Sequence, residues 1–333
     1  VSRLRSAREA GEVAAGGAEK CLDELLVGRE LAYAFCHHRP DHARLSAIPA
    51  WAIETLAQHE PDRRPALYSW VQLSRGCTDD ELWNASQHSL LVHGELHNNV
   101  RMTWGKSLLN WTSNARQTLA MLIDLNHRYA LDGRDPASYG GLLWCLGQFD
   151  RPFSPTRPIL GTVRPRPTAE HLQRLDLQRY RQRVERCPFR GPPRVAVIGA
   201  GISGLICART LADHRVDVAV FDKSPRVGGR LSSRPSTASN TAMFDHGAQY
   251  FTARDERFVR LVRSWEDQGV VSQWQGTIAK LTSHGCDTSG SSTRRYVGTP
   301  DMNALARHLA ADLNPRLATR VQELFRSQTE EGW

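Results

Sequence analysis

The sequence predicts a chain in two parts, an all-α part followed by an α/β part. Apolar residues recur at helical spacing through most of the first 130 residues. From Arg194, a run of small and β-branched residues leads directly into Gly199-Ala200-Gly201-Ile202-Ser203-Gly204, and another helical pattern follows. That order of strand, glycine loop and helix is typical of a Rossmann-type nucleotide-binding domain. We therefore expect a helical domain over 1–186, a Pro- and Gly-rich linker over 187–193 and a Rossmann-type domain over 194–333.

Length and composition fit two globular domains. The chain has 333 residues, and 40% of them are hydrophobic, which is enough for ordinary buried cores. No apolar run approaches the ~18 residues needed to cross a bilayer, and the start of the chain lacks the pattern of a secretion signal. We therefore expect a cytoplasmic protein without a membrane partner.

The seven cysteines are an odd number, widely scattered, and form no Cys-x-x-Cys pair. In a reducing compartment this pattern favours free, buried thiols over disulfides or zinc ligands. We expect no metal site.

The positive charge is concentrated in one segment. The formal net charge is +8 at pH 7, and residues 151–194 alone hold 11 arginines against three acidic residues. Two interpretations stay open on charge alone. The segment is either a solvated, arginine-rich linker or a phosphate-contacting strip beside a nucleic-acid site.

The first part shows the helical pattern in several separate stretches. Leu22 to His38 has apolar residues near helical spacing, and Pro40 ends that helix. Shorter helical stretches follow at 51–59 and 68–73. Thr78-Asp79-Asp80-Glu81 resembles a capping box, with Thr78 as the cap. We expect helices up to about residue 130.

The densest patch of unusual residues lies between Trp83 and Thr112. Five residues in it recur at spacings of four, three, four and three, so they share one stripe of a helix: His97, Arg101, Trp104, Leu108 and Trp111. Trp104 and Trp111 lie two turns apart, about 10.5 Å along the axis. Tryptophans at this spacing are usually core residues. However, buried polar groups such as those of His97, Asn98 and Arg101 need partners, which indicates more than packing.

A charged turn follows the next helical stretch. Asp132-Gly133-Arg134-Asp135-Pro136 is a turn by composition. Its two acids and its arginine are suited to hydrogen-bonding ribose hydroxyls and to pairing with Arg101. Taken alone, it is only a charged loop.

Several separated blocks of the first part agree, in order and spacing, with one family. The blocks are Glu24 to Leu31, Trp83-Asn84-Ala85-Ser86-Gln87, His97-Asn98-x-x-Arg101-Met102-x-Trp104-x-Lys106, Trp111-Thr112, Leu125-Asn126, Leu131 to Pro136, and Trp144. Over about residues 20–185 the chain resembles the C-terminal helical FAD domain of class II cyclobutane-pyrimidine-dimer photolyases. Those enzymes use light to send an electron from reduced flavin into a pyrimidine dimer in DNA, which then splits.

The resemblance implies a role for each matching residue. Photoreduction of oxidised flavin is expected to run through Trp83, Trp104 and Trp111, and Asn126 matches the residue that faces the flavin N5 atom. A polar clamp around the isoalloxazine and ribose is implied for Arg101, Asp132, Arg134 and Asp135. Contacts to the flipped-out dimer are implied for Glu24, Asn98, Met102 and Trp144. The partner is then damaged DNA, and the basic segment beside Trp144 is expected to contact it.

The chain also departs from this family. Relatives usually carry a bulky aromatic or cationic residue at or next to Val27-Gly28, so the lesion pocket is expected to be weakened here. The family's antenna domain and the phosphate-binding portion of its FAD domain should precede residue 1. We therefore expect a fragment that is truncated at its start and holds the second half of a flavin cradle.

Three features of the neighbouring sequence indicate that the glycine loop of the second part binds a dinucleotide. A strand is predicted over 194–198, a helix over 202–213, and a second strand over 216–222 that ends in Asp222. Asp222 lies 18 residues beyond Gly204, near the ~20 that is typical for the carboxylate that binds ribose hydroxyls. Gly199, Gly201 and Gly204 would let a pyrophosphate approach the helix N-terminus.

The residues that follow indicate which dinucleotide binds. Gly228-Gly229-Arg230, Asp245-His246-Gly247-Ala248-Gln249-Tyr250 and Tyr296 to Leu305 resemble the amine oxidase group of flavoproteins, particularly its renalase-like branch. This resemblance runs from residue 194 to the end and favours FAD over NAD. It implies that Arg230 pairs with the FAD diphosphate, that NAD(P)H or an amine supplies a hydride, and that the substrate is a small molecule. The substrate domain should come after residue 333, so a second truncation is expected.

Other candidate residues have simpler explanations. His246 and His284 are isolated from any triad or metal ligands, so we interpret them as structural. Gly285 to Thr293 is predicted to be a loop, and Glu330 to Trp333 to begin a strand.

Together these patterns predict a fusion of two flavin-binding enzymes, with one FAD in each part of the complete protein. One part would be a deoxyribodipyrimidine photo-lyase-like lyase, and the other an FAD-dependent oxidoreductase. The alternative is a renalase-like oxidoreductase that carries a non-repairing, cryptochrome-like or nucleic-acid-binding helical module. Because neither flavin cradle is complete in this stretch, the chain by itself is expected to hold flavin weakly.

Overall fold

The computed structural model describes residues 2–11, 15–186, 193–236, 243–276, 279–283, 285–287 and 293–325. The chain divides into two units. The helical unit comprises Val1–Tyr68 and Gln72–Arg186, and the α/β unit comprises Ser69–Val71 and Cys187–Trp333.

Helices dominate the chain up to residue 186. They are α1 (Ser2–Glu9), α2 (Ala15–Asp23), α3 (Arg29–His38), α4 (Ala50–Gln58), α5 (Trp70–Arg75), α6 (Glu81–His93), α7 (Asn98–Trp111), α8 (Ala115–Tyr129), α9 (Pro136–Trp144), α10 (Thr168–Leu172) and α11 (Leu177–Glu185). A 3-10 turn, Leu45–Ala47, precedes α4. The prediction of helices up to about residue 130 is confirmed, and helical structure continues beyond it in α9, α10 and α11.

Side-chain caps determine where several helices begin. Residues that accept a hydrogen bond from a backbone N–H of the helix that follows them include Asp80, Asn114, Asp135 and Asp176. The predicted capping box is wrong in its register. Asp80 caps α6 by accepting from the Trp83 N–H, whereas the Thr78 hydroxyl donates to Asn84 Oδ1 and accepts from the Asp80 N–H.

The predicted helix from Leu22 to His38 is continuous but not uniform. It runs from α2 through one π-helical turn, Glu24–Gly28, into α3. A π turn changes the helical face on which the following residues lie, relative to a uniform α-helix, and such turns are frequent at functional sites. The side chains of α3 therefore face in a direction that helical periodicity alone does not predict.

The core of the helical unit is built mainly by α6, α7, α8 and α9. Its largest fully buried side chains include Trp83, Trp104, Leu108, Leu122 and Leu142. A side chain at Gly105 on α7 would collide with the Cys145 sulfur at the end of α9. On α9 itself, a Cβ at Gly140 would lie only 2.7 Å from the Ala32 Cβ. Helix α9 is therefore packed closely against both α7 and α3.

The α/β unit begins with the strand, glycine loop, helix and strand that the sequence predicts. Strand β1 (Arg194–Ile198) pairs in parallel with β2 (Asp217–Phe221), and helix α12 (Ile202–Asp213) connects them. The register places Arg194 opposite Asp217 and Ile198 opposite Phe221. Strand β2 is one residue shorter at each end than the predicted strand over 216–222.

Short antiparallel pairs and two helices complete the described α/β unit. The pairs are β3 (Ser233–Pro235) with β4 (Met243–Asp245), β5 (Val271–Gln273) with β8 (Tyr296–Gly298), and β6 (Lys280–Thr282) with β7 (Gly285–Asp287). The helices are α13 (Glu256–Asp267) and α14 (Asn303–Ala310), and Gly229–Leu231 forms a 3-10 turn. The core includes Leu205, Val220, Trp265, Met302 and Leu305.

The predicted loop from Gly285 to Thr293 is wrong at its start. Gly285–Asp287 forms β7, because pairing with β6 satisfies its backbone hydrogen-bonding groups. The Ser-, Gly- and Thr-rich composition of the segment gives no sign of this pairing. Residues 288–292 lie outside the described residues. So do His284, residues 187–192 of the predicted linker, and the predicted strand start at Glu330 to Trp333.

Six cysteines lie in the described part of the chain, and all are free. Cys145 is buried, but Cys21, Cys77, Cys207 and Cys286 are exposed, so the expectation of buried thiols is wrong for these four. Across the described ranges, no group of His, Cys, Asp and Glu side chains could hold a metal ion. No helix in the described ranges is both long and apolar enough to cross a membrane.

Candidate functional site

One cleft in the helical unit collects many of the residues singled out in the sequence. Its volume is about 590 Å³. Its walls come from the end of α2, the following π turn, the start of α3, helices α7 and α9, and residues of the segments 132–137 and 149–166. The cleft therefore depends on tertiary packing of parts that are far apart in the sequence.

All four residues that match lesion-contacting positions line this cleft. They are Glu24 from the π turn, Asn98 and Met102 from α7, and Trp144 from the end of α9. The Trp144 ring also meets the Phe149 ring edge to face, with ring centroids 5.9 Å apart. The cleft thus combines a carboxyl group, an amide, a thioether and an indole.

Gly28 lines the same cleft, at the position where the sequence departs from the family. Apart from backbone of its own helix, a Cβ at Gly28 would have one neighbour within 4 Å, the Glu24 Oε2 atom at 3.5 Å. The cleft has room here for a side chain that this protein lacks. It is therefore wider than it would be with a large residue at this position.

Arg101 and Asp132 form a two-point ion pair in the cleft wall. Arg101 Nη1 donates to Asp132 Oδ2 at 2.8 Å, and Nη2 donates to Oδ1 at 2.9 Å. Nη1 also donates to Ser138 Oγ at 3.1 Å. Burial raises the pKa of Asp132, but hydrogen bonding to Arg101 and its charge outweigh burial, so the pKa lies below its ordinary value. The expected pairing of Arg101 with the charged turn is confirmed.

Two buried polar atoms of the predicted flavin-binding residues have no hydrogen-bond partner among the described residues. Asn126 is 0% exposed; its Nδ2 donates to the Gly133 carbonyl at 3.1 Å, but its Oδ1 accepts nothing. The second atom is Arg101 Nε. Because an unpaired buried polar atom costs free energy, the Arg101 Nε atom in the cleft wall fits a site that a polar ligand such as flavin completes, whereas Asn126 does not line the cleft.

The other two residues of the predicted clamp do not line the cleft. Asp135 caps α9 by accepting from the Ala137 N–H at 2.8 Å, and it accepts from the Tyr33 hydroxyl, also at 2.8 Å. Arg134 is exposed. The structure thus gives the Asp135 carboxylate a structural role, and cofactor binding by these two residues stays a prediction.

The three tryptophans expected to carry electrons are in ring contact. The Trp104 and Trp83 rings are stacked, with centroids 6.1 Å apart and an angle of 8° between their planes. Trp83 and Trp111 meet edge to face at 5.4 Å. Trp83 and Trp104 are 0% and 1% exposed, whereas Trp111 is half-buried. The order Trp104, Trp83, Trp111 therefore leads from the core towards solvent.

Lys106 is a cleft residue whose role did not follow from the sequence. Its side chain is buried on α7, and Nζ donates to the carbonyl oxygens of Cys145 at 3.2 Å and Trp144 at 3.4 Å. Burial lowers the pKa of Lys106, and burial raises the pKa of the Cys145 thiol to about 11. The ammonium group binds the carbonyl end of α9, where a helix favours a cation. In the sequence, Lys106 was notable only because it lies two residues after Trp104. That position does not predict a hydrogen bond to the end of α9.

Basic side chains outnumber acidic ones around the cleft. Its lining includes six cationic and three acidic side chains: Lys20, Arg29, Arg101, Lys106, Arg164 and Arg166 against Glu24, Asp132 and Asp150. Arg164 and Arg166 belong to the arginine-rich segment 151–194. A cleft of this charge attracts anionic ligands such as the phosphates of a nucleic acid.

The glycine loop of the α/β unit has the geometry that close approach of a phosphate requires. Gly199 has a φ of +110°, which residues with a side chain rarely adopt. A Cβ at Gly204 would clash with the Gly199 carbonyl oxygen, whereas a Cβ at Gly201 would have nothing within 4 Å. Gly204 thus allows α12 to pack on the loop. Gly201, the N-cap of α12, leaves open space at the helix N-terminus.

Asp222 closes this loop from the end of β2. Its Oδ2 accepts from the Ala200 N–H at 2.6 Å, and its Oδ1 accepts from the Ser224 N–H at 2.7 Å. Burial raises the pKa of Asp222, but these backbone hydrogen bonds outweigh burial, so the pKa lies below its ordinary value. An ionised carboxylate has further lone pairs, so ribose hydroxyls can still donate to it.

Gly228 and Gly229 lie against the glycine loop. The Gly228 N–H donates to the Ala200 carbonyl at 2.8 Å, and Gly228 forms a parallel bridge with Gly201. Gly228 has a φ of +117° and Gly229 a φ of +53°, so both use the conformational freedom of glycine. Arg230 is exposed beside them and makes no ion pair with another described residue. Its binding to a diphosphate stays a prediction.

Known proteins resemble both parts of the chain. Residues 197–265 match a family described as NAD(P)-binding Rossmann-like domain. The chain is 39% identical over 164 residues to the deoxyribodipyrimidine photo-lyase of Methanothermobacter thermautotrophicus, with 49% of this chain and 36% of that protein covered. It is 40% identical over 166 residues to the deoxyribodipyrimidine photo-lyase of Oryza sativa subsp. japonica, with 50% and 33% covered. It is 42% identical over 67 residues to the flavin-containing amine oxidase A of Canis lupus familiaris, with 20% and 12% covered.

The chain joins a photolyase-like region to an oxidase-like region of Rossmann type. The two resemblances found in the residue blocks are confirmed at this level. The chain spans about a third of the length of the photo-lyases that it matches. These matches extend to photo-lyases and to amine oxidases. Membership of class II for the photolyase-like region, and of the renalase-like branch for the oxidase-like region, stays a prediction.

Proposed function

We propose that the photolyase-like region binds FAD and uses light to repair cyclobutane pyrimidine dimers in DNA, as a class II-like photolyase. The observation that supports this most directly is the composition of the cleft. The side chains expected to contact a lesion share it with the Arg101–Asp132 ion pair expected to contact flavin. A donor and an acceptor bound there would be close enough for electron transfer without a protein relay.

The residues that would hold the isoalloxazine ring are Arg101, Asp132 and Asn126. The unpaired Arg101 Nε atom fits a ring that has hydrogen-bond acceptors, whereas Asn126 is buried outside the cleft lining and its contact to the ring rests on the family resemblance. Reduced FAD, when bound, supplies the electron that splits the dimer. The ion pair would orient the ring.

A flipped-out dimer suits the remaining cleft residues. The Trp144 indole offers an aromatic face for a pyrimidine ring, and the Met102 thioether offers a soft apolar contact. Asn98 and Glu24 can hydrogen-bond the polar edges of the bases. Arg164 and Arg166 line the cleft and would neutralise phosphates beside the lesion.

Repair is tested directly with the complete, FAD-loaded and reduced protein and an oligonucleotide that contains one thymine dimer. We expect illumination to restore the two thymines, with no repair in the dark, measured by separating the intact and damaged strands. Trp144→Ala should lower repair more than Leu67→Ala, because Leu67 is an exposed apolar residue outside the cleft. Intact dimers after illumination of the unaltered protein would contradict the proposal.

A second candidate function is favoured by the open space at Gly28. If the missing side chain is essential for holding the lesion, the helical region is a nucleic-acid-binding or cryptochrome-like module without repair activity. The two candidates differ in DNA binding. A repair enzyme binds dimer-containing DNA more tightly than undamaged DNA at every salt concentration, whereas a basic module binds both equally and loses affinity steeply with salt.

We further propose that the oxidase-like region binds FAD and oxidises a small molecule, with NAD(P)H as a possible electron donor. The open N-terminus of α12, the Asp222 carboxylate and the exposed Arg230 would hold a dinucleotide. The measurements, made on the complete protein, are flavin retained through gel filtration and oxygen uptake with NADH or NADPH. A protein that binds neither FAD nor NAD(P)H would contradict this assignment.

A further inference from the structure

Gln87 is a buried amide that contacts the tryptophan pair. It lies on α6 and is 0% exposed. Its Oε1 accepts the Trp104 indole N–H at 3.1 Å, and its Nε2 donates to the Ser74 carbonyl at 3.1 Å. Because a carbonyl can only accept, the amide orientation is determined by these partners. Both ends of the amide are satisfied, and they hold the Trp104 ring in its stack with Trp83.

Both inner indoles donate to neutral acceptors. Trp83 Nε1 donates to the Trp104 carbonyl oxygen at 2.9 Å, in the same way that Trp104 Nε1 donates to Gln87. Amide oxygens accept hydrogen bonds but are not bases near neutral pH. They stabilise a positively charged indole without removing its proton. Trp111 differs, because it is half-buried and its charge can be solvated.

We propose that Gln87 is a positioning residue that keeps the proton on Trp104 while Trp104 passes a positive charge to Trp83. This inference rests on the proposed light-driven function. One electron leaves Trp104 for the photoexcited flavin, and Trp104 remains protonated as a radical cation. One electron then moves from Trp83 to Trp104, which restores neutral Trp104 and leaves the charge on Trp83. No proton moves in either step.

Loss of the indole proton would stop this transfer. A deprotonated Trp104 radical is neutral, so refilling it with an electron would also require a proton. A carboxylate in place of the Gln87 amide could take that proton, whereas an apolar side chain could neither take it nor stabilise the charge. Gln87→Glu and Gln87→Met therefore change the charge transfer in different ways.

The control is Ser86→Ala. Ser86 is also buried on α6, but its hydroxyl donates to the Leu82 carbonyl of the same helix. The change removes a buried hydrogen bond of α6 and leaves the indoles untouched. It separates an effect on the tryptophans from a general loosening of the helix.

Two readouts are needed. In the flavin-free protein, ultraviolet resonance Raman reports hydrogen bonding of the indole N–H, with Trp104→Phe identifying the Trp104 band. We expect the Trp104 band of Gln87→Met to move to the position of an indole N–H without a hydrogen bond. In Ser86→Ala we expect this band to stay where it is in the unaltered protein. In the flavin-loaded protein, flash photolysis distinguishes protonated from neutral indole radicals by their absorption.

In flash photolysis we expect only the protonated radical in the unaltered protein and in Ser86→Ala. Gln87→Glu should form the neutral radical at Trp104. Gln87→Met should shift the charge equilibrium from Trp104 towards Trp83 by roughly 10- to 100-fold, since a hydrogen bond to a charged group is lost. Unaltered radical spectra and equilibria in both Gln87 variants would overturn the inference, as would absence of tryptophan radicals in the unaltered protein. Altered radicals in a protein that repairs no dimers would support the role of Gln87 and reject repair.

Discussion

The photolyase-like and oxidase-like regions present their candidate groups by different means. In the photolyase-like region the groups are side chains, and Trp83, Trp104 and Asn126 are buried in the core. In the oxidase-like region the main group is a backbone loop, in which Gly201 leaves open space. A site made of core side chains links function to stability, whereas a site made of loop backbone can lose function with little change in stability.

The largest expected effect tests the first half of this comparison. Trp104→Ala should lower the free energy of unfolding by about 3–5 kcal/mol, because it empties a fully buried site, and it should also abolish photoreduction. Trp111→Ala should abolish photoreduction at a clearly smaller cost, because Trp111 is half-buried. Urea unfolding and flavin photoreduction are the two measurements. Equal losses of stability would show that burial does not distinguish the two positions.

Next in size is a matched pair in the glycine loop. Gly204→Ala should cost roughly 1–3 kcal/mol of stability and lower FAD affinity, because the new Cβ clashes with the Gly199 carbonyl oxygen. Gly201→Ala should change stability by less than about 0.5 kcal/mol, yet still lower FAD affinity by occupying the open space. Thermal unfolding and flavin titration decide the matter. If Gly201→Ala binds FAD normally, the open space is not where the diphosphate lies.

The Arg101–Asp132 ion pair should give a smaller, pH-dependent effect. Because the pKa of Asp132 is lowered in the folded protein, its carboxylate contributes stability that is present above the unfolded pKa of about 3.9 and is lost as pH falls through the folded value. Asp132→Asn should therefore be less stable than the unaltered protein at neutral pH, and the difference should vanish on acidification. A difference in melting temperature that is constant down to strong acid would contradict this origin.

The smallest effect is expected at His127, whose ring lies edge to face with Tyr139 at a centroid distance of 4.8 Å. Burial and the charge of Arg134 lower the pKa of His127, so the fold favours the neutral ring. Its contribution is fully present above the unfolded pKa of about 6.5 and is lost as pH falls through the folded value. Relative to His127→Phe, the unaltered protein should lose melting temperature as the pH falls below about 6.5. A pH-independent difference would show that His127 does not titrate in this range.

Local patterns were most informative where neighbouring residues in the chain form the site. The strand, loop and helix from Arg194 to Asp213 lie where the sequence predicts them, because hydrogen bonding and glycine geometry there are local. Patterns failed where a distant partner decides the outcome. Asp80, not Thr78, caps α6, and the Thr78 hydroxyl bonds Asn84 and the Asp80 N–H. Gly285–Asp287 is a strand because Lys280–Thr282 pairs with it.

The sequence by itself determined the helical and α/β division, the glycine loop, the resemblance to two families, and the stripe that holds Arg101, Trp104 and Trp111. Only the tertiary structure decided that Trp83, from another helix, lies in ring contact with both Trp104 and Trp111. It also decided that Lys106 binds the end of α9 and that Gln87 holds an indole N–H. The physical reason is that helical periodicity specifies which residues share a face, whereas packing of one helix on another specifies what that face contacts.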